Sequence, residues 1–446
     1  MSSLTGNTIF KVQPPKPHNP MRKPVIAYLL LILLGSIVLY LPFFNTQPLK
    51  LWDALFTATS ALCVTGLSVV NLTMQFNQAG WLVIAALMQL GGLGIMTIST
   101  SLLLAASSKA GFDQHHLILE NFTLEDGSFS TTRILREVLK FTLTIETIGF
   151  AVFWFYNPAV FSVDKIVQTL FHTISAFCNV GLSIAPEHSF NFESSWLINL
   201  NFIFLMWAGS IGFITLSELF NRKNKQRLSL HSRLNLLSTA IIVLIALGTI
   251  LFIEKTPLLT TLTQAFASRT AGFSPLNSEL FAFPTLFLLM ALMFIGGSPG
   301  SCAGGIKTTT AAVIVINGLN KIRGHERTQF SHATIPNGVV QKALKTFVFA
   351  IFILIGAIFI LLFLEAKTLK TAGIDEVFLK ISFEAISAFA TCGASLGISS
   401  LISDYGRGIL MLLMFIGRLG PLVLLSALSK TIKAEPWYAE EQIMVG

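Results

Sequence analysis

Long apolar runs separated by short polar connections set the rhythm of this chain. The first, residues 25–44, reads VIAYLLLILLGSIVLYLPFF, and runs of similar length recur as far as residue 430. A helix of about 20 apolar residues crosses the ~30 Å hydrocarbon core of a bilayer, and eight such spans are predicted. A 24-residue tail containing prolines precedes the first run and no small-residue cleavage site follows it, so this run is expected to stay as a membrane helix.

A second pattern is superimposed on the first. The phrase LFTATSALCVTG ends at Gly66, LFHTISAFCNVG at Gly181, TLTQAFASRTAG at Gly272 and SFEAISAFATCG at Gly393. Three of the four contain Ser-Ala followed by Leu or Phe. Each phrase is about a dozen residues long and as a helix would rise only ~18 Å, so it must enter the membrane and turn back. A second phrase follows at an interval of 24 to 28 residues: LMQLGGLG with Gly91, LMWAGSIG with Gly209, LMFIGGSPG with Gly296 and LMFIGRLG with Gly417. Two phased phrases repeated four times define four units, at residues 25–105, 138–220, 233–319 and 343–430. Each unit reads as membrane helix, re-entrant pore helix, second membrane helix. An even number of crossings per unit points all four the same way, around an axis normal to the membrane.

Composition agrees with this picture. The 446 residues are 53% hydrophobic and only 12% charged, against about 25% charged in soluble domains. Lys and Arg gather in the N-terminal tail (1–24), in the connections 106–137, 221–232 and 320–342, and at the C-terminal end (431–446), while few fall in the alternate connections. By the positive-inside rule the first set, with both termini, is cytoplasmic. Arg269, Lys307 and Arg418 fall inside membrane segments instead. The four cysteines show no CxxC spacing, His115 and His116 no ligand spacing, and the spans contain no nucleophile-base or paired-carboxylate constellation, so redox, metal and enzymatic chemistry are not indicated. Glu435, Glu440 and Glu441 read as a cytoplasmic contact region.

Irregular backbone at membrane depth is tolerated where it lines a watery cavity. The turns after the pore helices are Cys63, Val64, Thr65 and Gly66; Cys178, Asn179, Val180 and Gly181; Thr270, Ala271 and Gly272; and Ala390, Thr391, Cys392 and Gly393. Their side chains differ, and a Gly closes each, as expected if backbone carbonyls coordinate a cation. Each pore helix also ends with its negative pole toward that point. For Gly91, Gly94, Gly209, Gly212, Gly417 and Gly420 close helix packing is the preferred reading.

The third unit alone is expected to be broken, at Gly296, Gly297, Ser298, Pro299, Gly300, Ser301, Cys302, Ala303, Gly304 and Gly305, because so many Gly with a Pro cannot hold a helix. A phosphate loop is excluded, since Ile306 separates Gly305 from Lys307 and no strand precedes it. The segment reads as a gate loop beneath the turns, with a passive kink as the alternative. Arg418, about 12 residues into the last helix, is expected to bond that loop or to pair with Glu146 or Glu218. Arg269 reads as scaffold at a helix C-terminus, and Lys307 as facing a cytoplasmic vestibule or snorkelling.

LFTATSA, LMQLGGLG, ASRTAGF, GGIKTT and IGRLGPL resemble the Trk, Ktr and HKT superfamily of cation transporters, most closely its KtrB branch. The resemblance runs from Leu51 to Pro421. It implies an all-α integral membrane fold of four pore repeats with eight transmembrane helices in the bacterial inner membrane, surrounded by lipid, and a potassium uptake function. It further implies a homodimer with a cytosolic ring of nucleotide-binding KtrA subunits, K+ as the transported ion, sodium as a coupling or activating ion, no covalently bound cofactor and no nucleic-acid partner. Cys178-Asn179-Val180 and Ala394-Ser395 depart from the family pattern. In plant relatives a Ser at the first filter glycine goes with sodium preference; Gly66 therefore points to potassium, with sodium or mixed transport as the alternative. A coupled transporter of another class would show inverted or parallel repeats with helices broken at the midplane, and a non-conducting scaffold would have no use for re-entrant loops.

Overall fold

The computed structural model describes residues 22–108, 131–156, 163–184, 195–220, 228–273, 276, 278–331 and 333–420. The tails 1–21 and 421–446, most of the 106–137 connection with His115 and His116, and residues 221–227 lie outside them. The fold is α-helical. The first unit comprises α1 (Arg22–Tyr40), α2 (Leu51–Leu62) and α3 (Gln78–Ser108). The second comprises α4 (Thr131–Tyr156), α5 (Val163–Phe177), α6 (Trp196–Ser210) and α7 (Phe213–Phe220). The third has α8 (Leu230–Glu254), α9 (Leu258–Thr270), α10 (Phe283–Phe294) and α11 (Thr308–Ile322), and the fourth α12 (Asn337–Thr371), α13 (Val377–Ala390) and α14 (Asp404–Leu419). Outer helices begin earlier than expected, at 131, 230 and 337. The 320–342 connection holds a small hairpin of β1 (Gln329–Phe330) and β2 (Ala333–Thr334).

Ile134–Tyr156, Leu230–Glu254 and Asn337–Thr371 are each long and apolar enough to cross a membrane, α6 and α7 make a bent pair, and Val25–Tyr40, Gln78–Gly94 and Phe283–Phe294 are shorter apolar helices. The outer helices keep large apolar side chains outward, Phe252 at 85% and Phe363 at 82% exposure. Such a surface is stable only against lipid or protein.

Inside, the arrangement is cyclic. The inner helix of each unit packs on the short helix of the next: α3 on α5, α6 on α9, α10 on α13, and α14 back on α2. At the seam between the last and first units Arg407 pairs with Asp53 at 2.8 Å, both side chains largely buried.

One expectation is corrected. The third unit is interrupted between Phe294 and Thr308, but the second is broken too, since α6 and α7 meet at 109°. Gly212 sits at that corner with φ +89°, and a Cβ there would lie 2.4 Å from Pro299 O. Backbone of the third unit occupies the break. Ser298 N donates to Ser210 O at 3.1 Å, Cys302 N to Gly209 O at 2.9 Å, and Phe213 N to Gly300 O at 2.9 Å. These bonds replace helical ones, and such an insertion is a recognised cause of a sharp kink.

Candidate ion pathway

The Ser-Ala phrase has a local structural meaning. In the first unit Thr65 N bonds Ser60 O (2.8 Å) and Val64 N bonds Ala61 O (3.1 Å), with Val64 at φ +58°. The second unit repeats this with Val180 N to Ser175 O (2.8 Å), Asn179 N to Ala176 O (3.1 Å) and Asn179 at φ +60°. In the fourth, Cys392 N bonds Ser387 O (2.9 Å), Thr391 N bonds Ala388 O (3.1 Å), and Thr391 has φ +49°. All three are Schellman closures of a helix C-terminus, built on a left-handed residue that is not Gly. The third turn departs: α9 runs on to Thr270, Ala271 N bonds Ala267 O at 3.0 Å, and Arg269 stands where the others have Cys63, Cys178 and Ala390.

The four turns converge. Gly66, Gly181, Gly272 and Gly393 all have positive φ, between +61° and +96°. A Cβ on Gly66 would lie 1.9 Å from Val180 O, on Gly181 2.4 Å from Ala271 O, on Gly272 2.5 Å from Cys392 O, and on Gly393 2.2 Å from Thr65 O. The same carbonyl of every turn, the one preceding its Gly, therefore stands against the Gly of the turn before it. The chain returns to the first turn after four steps. No residue with a side chain fits at any of the four places. The hydroxyls of Thr65, Thr270 and Thr391, in three of these turns, are buried and have no hydrogen-bond partner among the described residues.

A second set of close contacts holds the inner helices against the turns. A Cβ on Gly91 would meet Leu62 O at 1.9 Å, on Gly209 Phe177 O at 1.7 Å, and on Gly417 Phe389 O at 1.7 Å. Each carbonyl belongs to the residue four before the turn Gly. Gly94 and Gly420 make no comparable contact, and Gly212 marks the corner of the second unit. In the third unit Gly296 faces Gly304 O at 2.0 Å instead.

Residues 296–305 lie at the centre, and Ser298, Ser301 and Cys302 are fully buried. Besides its bonds to the second unit, the segment is closed by the bridge of Ile295 with Ile306 and by Thr308 N to Gly297 O at 3.0 Å. Gly304 abuts the Thr391 hydroxyl and Gly305 lies 3.3 Å from Ala390 Cα, both measured from an added Cβ, so the segment reaches the fourth turn. Arg418 is 2% exposed; its Nη1 donates to Cys302 O and its Nη2 to Gly91 O at 2.6 Å. Glu146 and Glu218 are engaged elsewhere, by Gln89 at 3.1 Å and by Ser229 at 2.6 Å. Lys307 Nζ bonds Ala303 O at 2.6 Å, turned into the segment rather than toward an interface. Arg269 is buried, with Nη2 3.5 Å from Gly296 O.

Some participants were not singled out from sequence. Tyr28 Oη donates to the same Gly91 carbonyl at 2.8 Å, and Asn235 bonds the segment from α8. Tyr28 lies in an apolar run where an aromatic is ordinary. Asn235 carried a signal, an amide in a membrane helix that needs partners.

The arrangement as a whole is one found in proteins already known. Residues 11–435 match the family model TrkH, described as a cation transport protein. Ktr system potassium uptake protein B of Bacillus subtilis is 32% identical over 96% of this chain and 97% of its own length. The potassium/sodium uptake protein NtpJ of Enterococcus hirae is also 32% identical, over 98% and 100%. The crystal structure of the potassium transporter TrkH from Vibrio parahaemolyticus shares the fold, with TM-score 0.74 at 18% identity over 94% of this chain and 86% of that one. This multi-pass membrane protein thus belongs to the TrkH family of cation transport proteins.

Proposed function

We propose that the chain is the ion-translocating subunit of a potassium uptake system, passing K+ along the axis of the four turns. The observation that carries this reading is the closed ring in which Gly66, Gly181, Gly272 and Gly393 each stand against the carbonyl of Val180, Ala271, Cys392 and Thr65 in turn. Carbonyl oxygens replace the hydration shell of a potassium ion without requiring any particular side chain. Residues 63–66, 178–181, 270–272 and 390–393 form the filter in this reading, and the units at 25–105, 138–220, 233–319 and 343–430 are its four repeats. The segment 296–305 is the gate, lying across the path with Arg418 bonded to its Cys302 carbonyl. A guanidinium there repels cations while the loop is closed.

The relative named as a component of a Ktr system supports a chain that works with partner subunits; in this reading it is a homodimer in the inner membrane, both termini cytoplasmic, under a ring of nucleotide-binding subunits. Sodium alongside potassium is the second reading, favoured by the relative named as a potassium/sodium uptake protein. Rubidium uptake with and without sodium, in cells lacking other potassium uptake, separates the two. Rubidium entry that needs no sodium and competes only with potassium supports the first; sodium entry through the purified chain in liposomes at a similar rate overturns it. For the gate, Arg418→Gln should raise partner-free flux about tenfold, and unchanged flux argues for a passive kink.

A further inference from the structure

Asn235 lies on α8 within LNLLSTAIIVLIALG, a stretch otherwise suited to lipid or core. An amide buried there is costly unless its polar atoms are paired. It is fully buried, and all four hydrogen-bonding positions of its side chain are taken. Nδ2 donates to Ile211 O at 2.6 Å and to Thr215 Oγ1 at 3.0 Å. Oδ1 accepts from Ser298 Oγ and, at 3.1 Å, from Thr308 Oγ1. The Ile211 carbonyl fixes the amide's orientation, because a flipped side chain would set two acceptors against each other.

These partners define what the residue holds. Ile211 is in the break between α6 and α7, Thr215 is on α7, Ser298 is near the start of the 296–305 segment, and Thr308 opens α11 directly after it. One side chain therefore ties both ends of the segment to the corner of the second unit. Arg418 ties its middle, at Cys302, from the opposite quarter of the ring. The support is itself supported: Ser232 Oγ bonds Thr215 Oγ1 at 3.4 Å, and Ser229 links Ser232 at 3.3 Å with Glu218.

We propose that Asn235 is a positioning residue for gating, the anchor that holds the 296–305 segment across the ion path in concert with Arg418. This rests on the gate reading above. Bonds made only while the segment is closed bias the closed population, so their loss opens the path without altering the filter. The test is potassium flux from liposomes containing the purified full-length chain without partner subunits, with the potassium-to-sodium flux ratio read in parallel. Asn235→Leu and Asn235→Asp are expected to raise flux about tenfold. Ser298→Ala and Thr308→Val, each removing one of the two bonds to Oδ1, should raise it about two- to threefold. The flux ratio should stay at the wild-type value in all four. A purely structural role would instead lower flux or disturb the ratio.

Arg418→Gln is measured alongside. If it raises flux while folded Asn235 variants stay at wild type, the inference about Asn235 is overturned and the gate reading survives. If Arg418→Gln also leaves flux unchanged, the gate reading falls and takes this inference with it. Should Asn235→Leu fail to fold, Ser298→Ala and Thr308→Val decide, and wild-type flux in both overturns the proposal.

Discussion

The first, second and fourth turns are built alike and the third is not. The three share Ser-Ala, a left-handed residue two places before the Gly, and an inner-helix Gly pressed on the carbonyl four places before it. The third turn has Phe266-Ala267 where the others have Ser-Ala, a short helix that runs to within two residues of its Gly, and the buried Arg269. Its inner helix stops at Phe294, and Gly296 packs on Gly304 of the central segment. A turn whose inner helix is continuous through its contact Gly is clamped from behind by that helix. Where the inner helix is broken, the contact is to the backbone of the 296–305 segment, which is the gate in the proposed reading.

The comparison can be broken by substitution. The largest effect is expected at the ring itself, which all four turns share. Gly181→Ala and Gly393→Ala place a Cβ within 2.6 Å of a neighbouring turn and hold a positive φ that Ala resists. Rubidium uptake should fall at least about tenfold, and uptake close to wild type would show that the ring is not the path.

Next in size are the inner-helix contacts. Gly209→Ala and Gly417→Ala put a Cβ 1.7 Å from a helix-end carbonyl, and overpacking of this kind costs roughly 1–3 kcal/mol. Both should lower the melting temperature in detergent. Gly296→Ala strikes Gly304 O, part of the central segment, so its expected signature is a rise in partner-free flux with a smaller loss of stability. Identical behaviour of all three variants would erase the distinction between the third unit and the rest.

The smallest effect belongs to the cap. Ser60 Oγ accepts from Gly66 N at 3.0 Å, and losing that bond should cost about 1 kcal/mol. Thermal unfolding of Ser60→Ala measures it. Phe266→Ser, which restores the Ser of the motif to the third unit, should gain nothing, because that turn lacks the left-handed residue the cap requires. Stabilisation by Phe266→Ser would mean that the third turn differs by sequence accident rather than by backbone.

Much of this was legible in the chain. The short helices α2, α5, α9 and α13 follow from phrases too short to span, and the one phrase without Ser-Ala is the one turn without a Schellman closure, since that closure depends on hydrogen bonds within six residues. The Gly91, Gly209 and Gly417 contacts were readable as packing for the same reason: small residues recur at one phase. The break in the second unit was missed because LMWAGSIG differs little from LMQLGGLG, which stays helical in α3. What bends α6 is backbone from residues 298–302, donated from nearly a hundred residues away. Asn235 and Tyr28 were passed over because single polar or aromatic residues in a membrane helix do not name their partners.

Sequence alone thus determined the membrane class, the four recurring phrases and the residues that close the turns, because these depend on hydrophobic length and on hydrogen bonds between near neighbours. Tertiary structure decided which carbonyls Arg418 and Asn235 hold, where the second unit breaks, and the order in which glycine meets carbonyl around the ring. Those depend on buried polar groups finding partners from distant segments, a requirement that every such group in a membrane must meet and that local sequence cannot assign.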